Sequence, residues 1–325
     1  MKSGFICILL ILSFRYTIAQ ELQFPMDDGR HKKADFENWL IFSHLTASDS
    51  SRFGVAIFFF TGKIIGLRAS GVYVMVADEQ QKVYTNYKKI QLPIINRATH
   101  TEGRLLEKYG SNILRREPGN NPYEIELDLK ELKLTLSLKP QKVPVDLNQL
   151  PVGDKKYNRV YTIPRGKVEG KMNYDNKPYP LQGFGIYQHQ WGDSPDKNTA
   201  SDLFAFHLED TTDILVYHSE DYPPINTMII SDKLDNITIL KDFTARADTT
   251  ITVNPPGARF ALKWKINAAN PNLSFELNPG FNGQQINMLG FPYWLSRCLV
   301  SGKLGEKTLF GKGYIHLRTL SSGGK

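Results

Sequence analysis

The stretch Ile125-Glu-Leu-Asp-Leu-Lys-Glu-Leu-Lys-Leu-Thr-Leu-Ser-Leu138 decides the fold class of this chain. Apolar residues take alternate positions over 125–129, and they alternate again in the opposite phase over 132–138. Because side chains two apart on a β-strand point to the same face, each half predicts a strand with one buried face. The one-residue slip at Lys130-Glu131 predicts a bulge or a tight turn between the two strands.

The same alternation recurs along the chain, at Val72–Val76, Phe204–Leu208, Ile237–Leu240 and Ala261–Ile266. The run Val55–Phe60 is apolar throughout, which is typical of a strand covered on both faces. We expect one weak helix, over Glu102–Arg116, with Gly103 and Gly110 inside it. Many short strands at close spacing predict an all-β protein, an antiparallel barrel or sandwich.

A weak internal repeat indicates two β-domains of similar build. Leu40-Ile-Phe-Ser-His-Leu45 resembles Leu203-Phe-Ala-Phe-His-Leu208, and it places His44 and His207 at equivalent positions, where we expect hydrogen-bonded structural histidines. The stretch Lys139–Pro164 is rich in proline and connects the two halves. We therefore predict domains at residues 20–150 and 151–325.

The first residues have the pattern of a secretory signal. Lys2 precedes the apolar run Phe5–Phe14, and Thr17-Ile18-Ala19 offers a cleavage site with small residues. We expect residues 1–19 to be removed, the mature chain to begin at Gln20, and the protein to be secreted or periplasmic. An uncleaved anchor is the alternative, and peripheral membrane contact is left open.

Composition excludes several classes of function. Hydrophobic residues make up 41% of the 325-residue chain and charged residues 22%, as in a globular protein. The net charge of +7 is scattered, and no nucleic-acid motif accompanies it, so a nucleic-acid partner is not expected. No phosphate loop, dinucleotide fingerprint or serine elbow is present, and no cofactor is expected. With Cys7 removed, Cys298 is alone, and we expect it to be a buried thiol.

Two stretches carry most of the chemistry: Phe24-Pro-Met-Asp-Asp-Gly-Arg-His31, followed by Phe36-Glu-Asn-Trp39, and Gly183-Phe-Gly-Ile-Tyr-Gln-His-Gln-Trp-Gly192. In the second, Tyr187, His189 and Trp191 share one face of a strand, which sets a proton carrier between two aromatic rings. This arrangement favours a pocket for an apolar, electron-rich ligand. The histidines lack the spacing of metal ligands along the sequence, so no metal is expected.

These stretches, in this order, resemble the carotenoid 1,2-hydratase (hydroxyneurosporene synthase) and AttH-like family. Tyr161-Thr-Ile-Pro164, Tyr293-Trp294 and Gly311-Lys-Gly-Tyr314 extend the resemblance through nearly the whole mature chain. It implies two lipocalin-like antiparallel β-barrel domains. Some members of the family hydrate a terminal carotenoid double bond, and related lipocalin-like proteins catalyse intramolecular cycloadditions of polyenes.

The resemblance also implies which residues form the site. It makes His189, Trp191 and Tyr217 catalytic, with Glu37 as the remaining acid and Asp27 and Asp28 as further candidate acids. Its ligand-binding candidates are Tyr187, Trp39, His31, Tyr293 and Trp294. Relatives carry acids where this chain has Gln188, Gln190 and Leu295, and the acid expected after Tyr217 is missing, although Glu220 and Asp221 follow. Each tryptophan is also explained as an ordinary core residue.

Three functions therefore stay open. The first is a carrier for an extended apolar molecule such as a polyene, an isoprenoid or a lipid, which the missing acids favour. The second is a hydratase or cyclase in which His189 moves a proton and Trp191 and Tyr217 stabilise positive charge, which the retained His-x-Trp favours. The third is a structural surface protein without a ligand.

Overall fold

Antiparallel β-strands make up most of the computed structural model, which describes residues 21–64, 67–92, 99–101, 103–148, 150–153, 155–194, 202–219, 224–253, 258–288 and 291–318. The expected signal segment 1–19, and Glu220 and Asp221, lie outside these residues. Within the described ranges, no helix combines the length and the apolar character that crossing a bilayer requires.

Among the described residues, thirteen strands form the first sheet, which curls into a barrel, with β3 contacting β6 and β4 contacting β8 across the curl. Its order is β4-β3-β2-β1-β13-β12-β9-β8-β7-β6-β5, and β10 and β11 pair with β12. The strands are β1 Phe36–Ala47, β2 Arg52–Ile64, β3 Leu67–Asp78, β4 Val83–Gln91, β5 Thr99–His100, β6 Leu106–Tyr109, β7 Asn112–Arg115, β8 Tyr123–Leu129, β9 Leu132–Pro140, β10 Val145–Asp146, β11 Leu150–Gly153, β12 Lys156–Tyr174 and β13 Lys177–Gly192.

The second sheet has ten strands in the part of the chain that the structure describes, and it forms a half-barrel. Its order is β17-β16-β15-β14-β23-β22-β20-β19-β18, and β21 pairs with β22. The strands are β14 Asp202–Leu208, β15 Asp213–Ser219, β16 Ile225–Ser231, β17 Ile237–Leu240, β18 Thr244–Val253, β19 Ala258–Ala268, β20 Leu273–Pro279, β21 Gln285–Met288, β22 Phe291–Leu304 and β23 Lys307–Arg318. The predicted all-β, lipocalin-like fold class is confirmed.

The two sheets repeat one topology. In each sheet the first strand pairs with the second strand and also with the last one, so that β1 contacts β2 and β13 while β14 contacts β15 and β23. The internal repeat seen in the sequence coincides with β1 and β14, which hold the same place in their sheets.

The sheets do not divide at the predicted boundary between residues 150 and 151. Strands β12 and β13, over residues 156–192, pair with β9 and β1 and complete the first sheet. The change of sheet therefore lies between Gly192 and Asp202. The prolines of this stretch do not interrupt the sheet: Pro151 lies in the short piece β11, and Pro164 lies at the register shift of β12 between Ile163 and Gly166, and both are positions that a sheet accepts for proline.

The predicted helix over Glu102–Arg116 is wrong, since this stretch forms β6 and β7. Leu105, Glu107 and Tyr109 are buried at alternate positions, and Gly110, at a φ of +67°, makes the turn between the strands. The sequence hides this period of two because one of the inward residues, Glu107, is charged. The predicted turn at Lys130-Glu131 is present as the tight connection of β8 to β9.

Within the described ranges, buried apolar side chains form three cores. One fills the barrel, one lines the second sheet, and the third lies between the two sheets. Strand β2 shows why Val55–Phe60 is apolar throughout: Val55, Ile57 and Phe59 face the barrel, whereas Ala56, Phe58 and Phe60 face the second sheet. Both faces of the wall between the barrel and the second sheet are therefore buried.

We predict that Phe42→Ala lowers the free energy of unfolding by about 3–5 kcal/mol, because this side chain is 1% exposed and stacks on Tyr314 of the second sheet at 4.6 Å. Urea denaturation measures the loss. Phe310→Ala, at a position 56% exposed, should change it by no more than about 0.5 kcal/mol. A loss below about 1 kcal/mol in Phe42→Ala would contradict the role of this interface.

Candidate functional site

A short segment closes the end of the barrel where β1 begins and β13 ends. It contains the 3-10 helix Met26–Asp28, whose last carboxylate is 2% exposed. Asp28 accepts hydrogen bonds from the hydroxyl groups of Tyr123, at 2.9 Å, and Tyr161, and from the guanidinium of Arg116, at 2.7 Å. A buried carboxylate with three donors is fully satisfied, so these contacts fix the segment to the barrel.

The segment is attached a second time through Arg30. Its Nε donates to Oε1 of Glu107 at 3.0 Å, and Nη2 donates to the other carboxylate oxygen. The hydroxyl of Tyr109 donates to the same carboxylate at 2.8 Å. Burial raises the pKa of Glu107 to about 7, although Arg30 acts in the opposite direction.

At the centre of this closure lies a cluster of two histidines and one glutamate: His31, Glu37 and His189, called here the His–Glu–His cluster. Nδ1 of His31 lies 2.8 Å from Oε1 of Glu37, and Nε2 of His189 lies 2.9 Å from the same oxygen. The backbone N–H of His31 also donates to both carboxylate oxygens, at 3.1 Å. Three donors thus converge on a carboxylate whose side chain is 1% exposed.

Asp27 contacts the other nitrogen of each histidine. Nδ1 of His189 lies 2.9 Å from the backbone carbonyl oxygen of Asp27, and Nε2 of His31 lies 3.3 Å from its carboxylate. Since a carbonyl oxygen only accepts, Nδ1 of His189 must carry a hydrogen. Both imidazoles therefore lie between two oxygen acceptors, an arrangement that a doubly protonated ring satisfies completely.

The charge state of Glu37 is set by burial and by its partners. Burial alone would raise the pKa of this carboxyl, but the hydrogen bonds from His189 and His31 outweigh it and hold the pKa below its usual value. The carboxylate form is thus stabilised inside the barrel, where it can accept a proton from either ring.

Aromatic rings enclose the cluster. The ring of His31 stacks on Trp191 at 4.1 Å, and the ring of His189 lies 4.8 Å from Trp39 and 4.7 Å from Trp191. The guanidinium of Arg159 lies 5.6 Å from the Trp191 ring. The His189 side chain has no solvent exposure, whereas the His31 side chain is 24% exposed. Solvent therefore reaches this cluster through His31.

Strand register explains why these residues meet. In the pairing of β1 with β13, Trp39 lies opposite His189 and Glu37 lies opposite Trp191. All four side chains point into the barrel, as the alternation in Tyr187-x-His189-x-Trp191 predicts. Tyr187 follows on the same face and stacks on Tyr123 at 3.8 Å.

The structure does not bring the remaining predicted site residues to this cluster. Tyr217 lies in the core between the sheets, where its hydroxyl donates to Oε1 of Gln188 at 2.6 Å. Trp294 lies in the core of the second sheet, and Tyr293 packs at the core between the sheets, 5.2 Å from the His316 ring. Sequence spacing did not reveal this because Tyr217 and Trp294 are buried, and Tyr293 is partly buried, in two cores outside the barrel.

The three positions where the resemblance led us to expect acids also lie away from the cluster. Gln188 is next to His189 on β13 and therefore points to the opposite face, towards Tyr217. Gln190, two residues further on, shares that face, and Leu295 lies in the core between the sheets. Asp28, Glu37 and Glu107 keep buried carboxylates at this end of the barrel, so the residues at these three positions do not remove the acid of the cluster.

The two structural histidines also lie between the sheets. Nδ1 of His44 accepts a hydrogen bond from Nε of Arg297 at 3.1 Å, and Nδ1 of His207 lies 2.6 Å from Asp213. Their rings lie 5.7 Å apart, and burial lowers the pKa of both. Both side chains are hydrogen-bonded, as expected.

The His–Glu–His cluster also gathers potential metal ligands, which the sequence did not indicate. One nitrogen from each histidine and one carboxylate oxygen of Glu37 lie within 4.8 Å of one another. The spacing of histidines along the sequence did not reveal this site, because its ligands come from three separate segments: the closing segment, β1 and β13. The sequence also did not indicate the contact of Arg30 with Glu107 or that of Arg159 with Trp191, since the two residues of each pair are far apart in the sequence.

We predict that Glu107→Gln changes the pH dependence of stability. A raised pKa means that the folded chain binds this proton more tightly than the unfolded chain, so wild-type stability falls as pH rises from 4.5 to about 7. The variant should lose this slope in urea unfolding measured across that range. Glu306→Gln, at an exposed turn, should keep the slope. An unchanged slope in Glu107→Gln would contradict the buried ionisation.

Comparison with known proteins supports the fold described above. A crystal structure of a protein described as an AttH, from Nitrosomonas europaea, is similar with a TM-score of 0.79 and 18% identity, over 92% of this chain and 97% of that one. Kievitone hydratase from Nectria haematococca has a TM-score of 0.71 and 12% identity, over 92% and 93%. CghA has a TM-score of 0.53 and 13% identity, over 90% of each chain. At these identities the likeness shows the fold alone.

No curated protein matches the chain by sequence. The sequence model of the AttH-like family, however, matches residues 15–319, which is nearly the whole chain. The match includes the closing segment, the His–Glu–His cluster and both sheets. The chain therefore belongs to the AttH-like family.

Proposed function

We propose that this protein is a hydratase-type lyase that adds water to a carbon–carbon double bond of an apolar molecule, or removes it, at the His–Glu–His cluster. The observation that carries the proposal is the position of its two imidazoles, each held between two oxygen acceptors, with one of them reaching solvent. A structural neighbour of the chain is named as a hydratase, which supports the reaction class.

In this proposal His31 donates the proton, and His189 acts on it indirectly, through Glu37. The sequence assigned the catalytic role to His189 and ligand contact to His31. His189 has no exposed surface and both of its nitrogens have partners, whereas His31 is the exposed end of the chain of hydrogen bonds. His189 acts through Glu37, which it keeps ionised and oriented.

The reaction follows from ordinary acid–base chemistry. A protonated His31 gives its proton to one alkene carbon, and the positive charge that develops on the other carbon faces the ring of Trp191, which stacks beside His31. A water molecule adds to the cation, and its surplus proton returns to His31. Substrate and water thus give an alcohol, and the cluster ends in its starting protonation state.

Exposed apolar side chains on the closing segment favour an apolar substrate. Phe24 is 42% exposed and Met26 is 60% exposed, and both belong to the segment that carries His31. The interior of the barrel is filled by its own side chains, so we expect the substrate to lie over the closing segment and to place its double bond at His31 and Trp191. The export that residues 1–19 predict would place this reaction outside the cytoplasm.

We predict that His31→Gln lowers turnover by about 10²–10⁴ while the protein still holds its substrate, because it removes the proton donor. His189→Gln should cost less, about 10-fold to 100-fold, because it alters only the orientation of Glu37. The assay incubates the full chain with an acyclic carotenoid or another polyene in heavy-oxygen water, with a metal chelator present, and follows label uptake by mass spectrometry.

Tyr217→Phe is the matched control, because its hydroxyl lies between the sheets and should not affect turnover. Wild-type turnover that persists undiminished in His31→Gln would remove this residue from the mechanism. A loss in Tyr217→Phe equal to that in His31→Gln would place the chemistry between the sheets.

A carrier for an apolar ligand is the second candidate function, and the exposure of Phe24 and Met26 favours it. In a carrier the cluster would serve only to hold the closing segment in place. The ligand would then be a polyene, an isoprenoid or a lipid that covers these side chains and the edge of Trp191, which is 9% exposed.

Both functions predict that an apolar polyene quenches tryptophan emission saturably. Trp191→Ala should weaken binding about 5-fold to 150-fold, which corresponds to roughly 1–3 kcal/mol for one apolar anchor. Phe310→Ala, an exposed apolar change on the second sheet, is the control. The absence of saturable quenching across isoprenoids and fatty acids would favour a structural protein.

A further inference from the structure

We propose that His31, Glu37 and His189 bind one divalent transition-metal ion of the Zn²⁺ or Co²⁺ class. Two imidazole nitrogens and a carboxylate oxygen are a donor set that Zn²⁺, Co²⁺ and Fe²⁺ accept. In this structure the three donor atoms lie within 4.8 Å of one another, on side chains from three separate segments of the barrel end. The inference concerns the same atoms as the proposed reaction but does not rest on that reaction.

The hydrogen bonds around the cluster fix the ring nitrogens as a metal site requires. Nδ1 of His189 faces the backbone carbonyl oxygen of Asp27, which leaves Nε2 directed at Glu37. Nε2 of His31 faces the Asp27 carboxylate, which leaves Nδ1 directed at Glu37. Metal-bound histidines commonly hold their second nitrogen against a carbonyl or a carboxylate in this way. Asp27 is thus the outer partner of both rings.

The distances indicate how much the cluster must adjust. A tetrahedral ion with bonds of about 2.0–2.2 Å sets its ligand atoms roughly 3.3 Å apart. The contacts of Glu37 Oε1 with the two rings, at 2.8 and 2.9 Å, are shorter by about half an ångström. Binding would therefore require the Glu37 carboxylate to move away from both rings by about that amount, with the ion in place of the protons that the rings share with the carboxylate.

The surroundings of the three ligands favour a metal site with one coordination position open to solvent. Glu37 and His189 are buried, so their donor atoms are shielded from water, whereas His31 is partly exposed and leaves one side to solvent. Three protein ligands with a fourth position open to solvent are typical of reactive rather than structural zinc sites. A bound ion would displace the proton from His31 and would therefore block the proton transfer proposed above.

The test is a titration of tag-free, chelator-treated full-length protein with Co²⁺ and with Zn²⁺. We expect one Co²⁺ per chain with visible ligand-field bands, and one Zn²⁺ that displaces it, as measured by absorption and calorimetry. His31→Gln, Glu37→Gln and His189→Gln should each weaken Co²⁺ binding at least about 100-fold, and Asp27→Asn about 10-fold to 100-fold. His218→Gln, a histidine on β15 bonded to Asn226, is the control and should bind as the wild type does.

Two results would overturn the proposal: no saturable uptake of either ion by the wild type, or uptake that the three cluster variants leave unchanged. Far-UV circular dichroism of each variant distinguishes lost binding from lost folding. The Co²⁺ titration of the wild type tests the site even if a variant does not fold. Because the titration contains no substrate, and the hydration assay is run with a chelator, either proposal can fail while the other stands.

Discussion

The burial of the Glu37 carboxylate is the constraint on which the closed end of the barrel depends. An ionised group with 1% exposure is strongly unfavourable unless charged or polar donors replace its water. These donors are the backbone N–H and the ring of His31, and the ring of His189. Since His31 belongs to the segment before β1, satisfying Glu37 draws that segment over the barrel. The reciprocal contact, in which Asp28 of the segment accepts from barrel tyrosines, fixes it from the other side.

The sequence alone predicts the part of the site that depends on the two-residue period of a β-strand. His189 and Trp191 share a face because they are two residues apart, and Glu37 and Trp39 share a face for the same reason. Pairing β1 with β13 then brings the two pairs together, but no local pattern states which strands pair. The contacts of Arg30 with Glu107 and of Asp28 with Tyr161 join residues 77 and 133 positions apart, so they could be seen only in the folded chain.

The two-residue period of a β-strand also explains why the site predicted from the sequence included a residue that lies elsewhere. Tyr217 was grouped with His189 by resemblance, yet it meets Gln188, whose side chain points to the other face of β13. One residue of displacement separates the barrel interior from the core between the sheets. The change of sheet differs from the predicted boundary for a related reason: prolines indicated a connection at Lys139–Pro164, whereas the chain keeps adding strands to the barrel until Gly192. Strand order depends on pairing between distant segments, which composition does not encode.

The filling of the barrel bears on the choice between carrier and enzyme. A lipocalin-type carrier needs an interior left open for its ligand, whereas Trp39, Tyr123 and Tyr187 occupy this interior with no exposed surface. The polar groups are instead collected at one end, where burial makes each hydrogen bond to Glu37 electrostatically stronger than it would be in water. In a carrier, two imidazoles on one buried carboxylate would serve only to hold the closing segment in place. Proton transfer and metal binding would each use the donor atoms of the cluster directly, which is why we place the proposed function at the closed end of the barrel rather than in its interior.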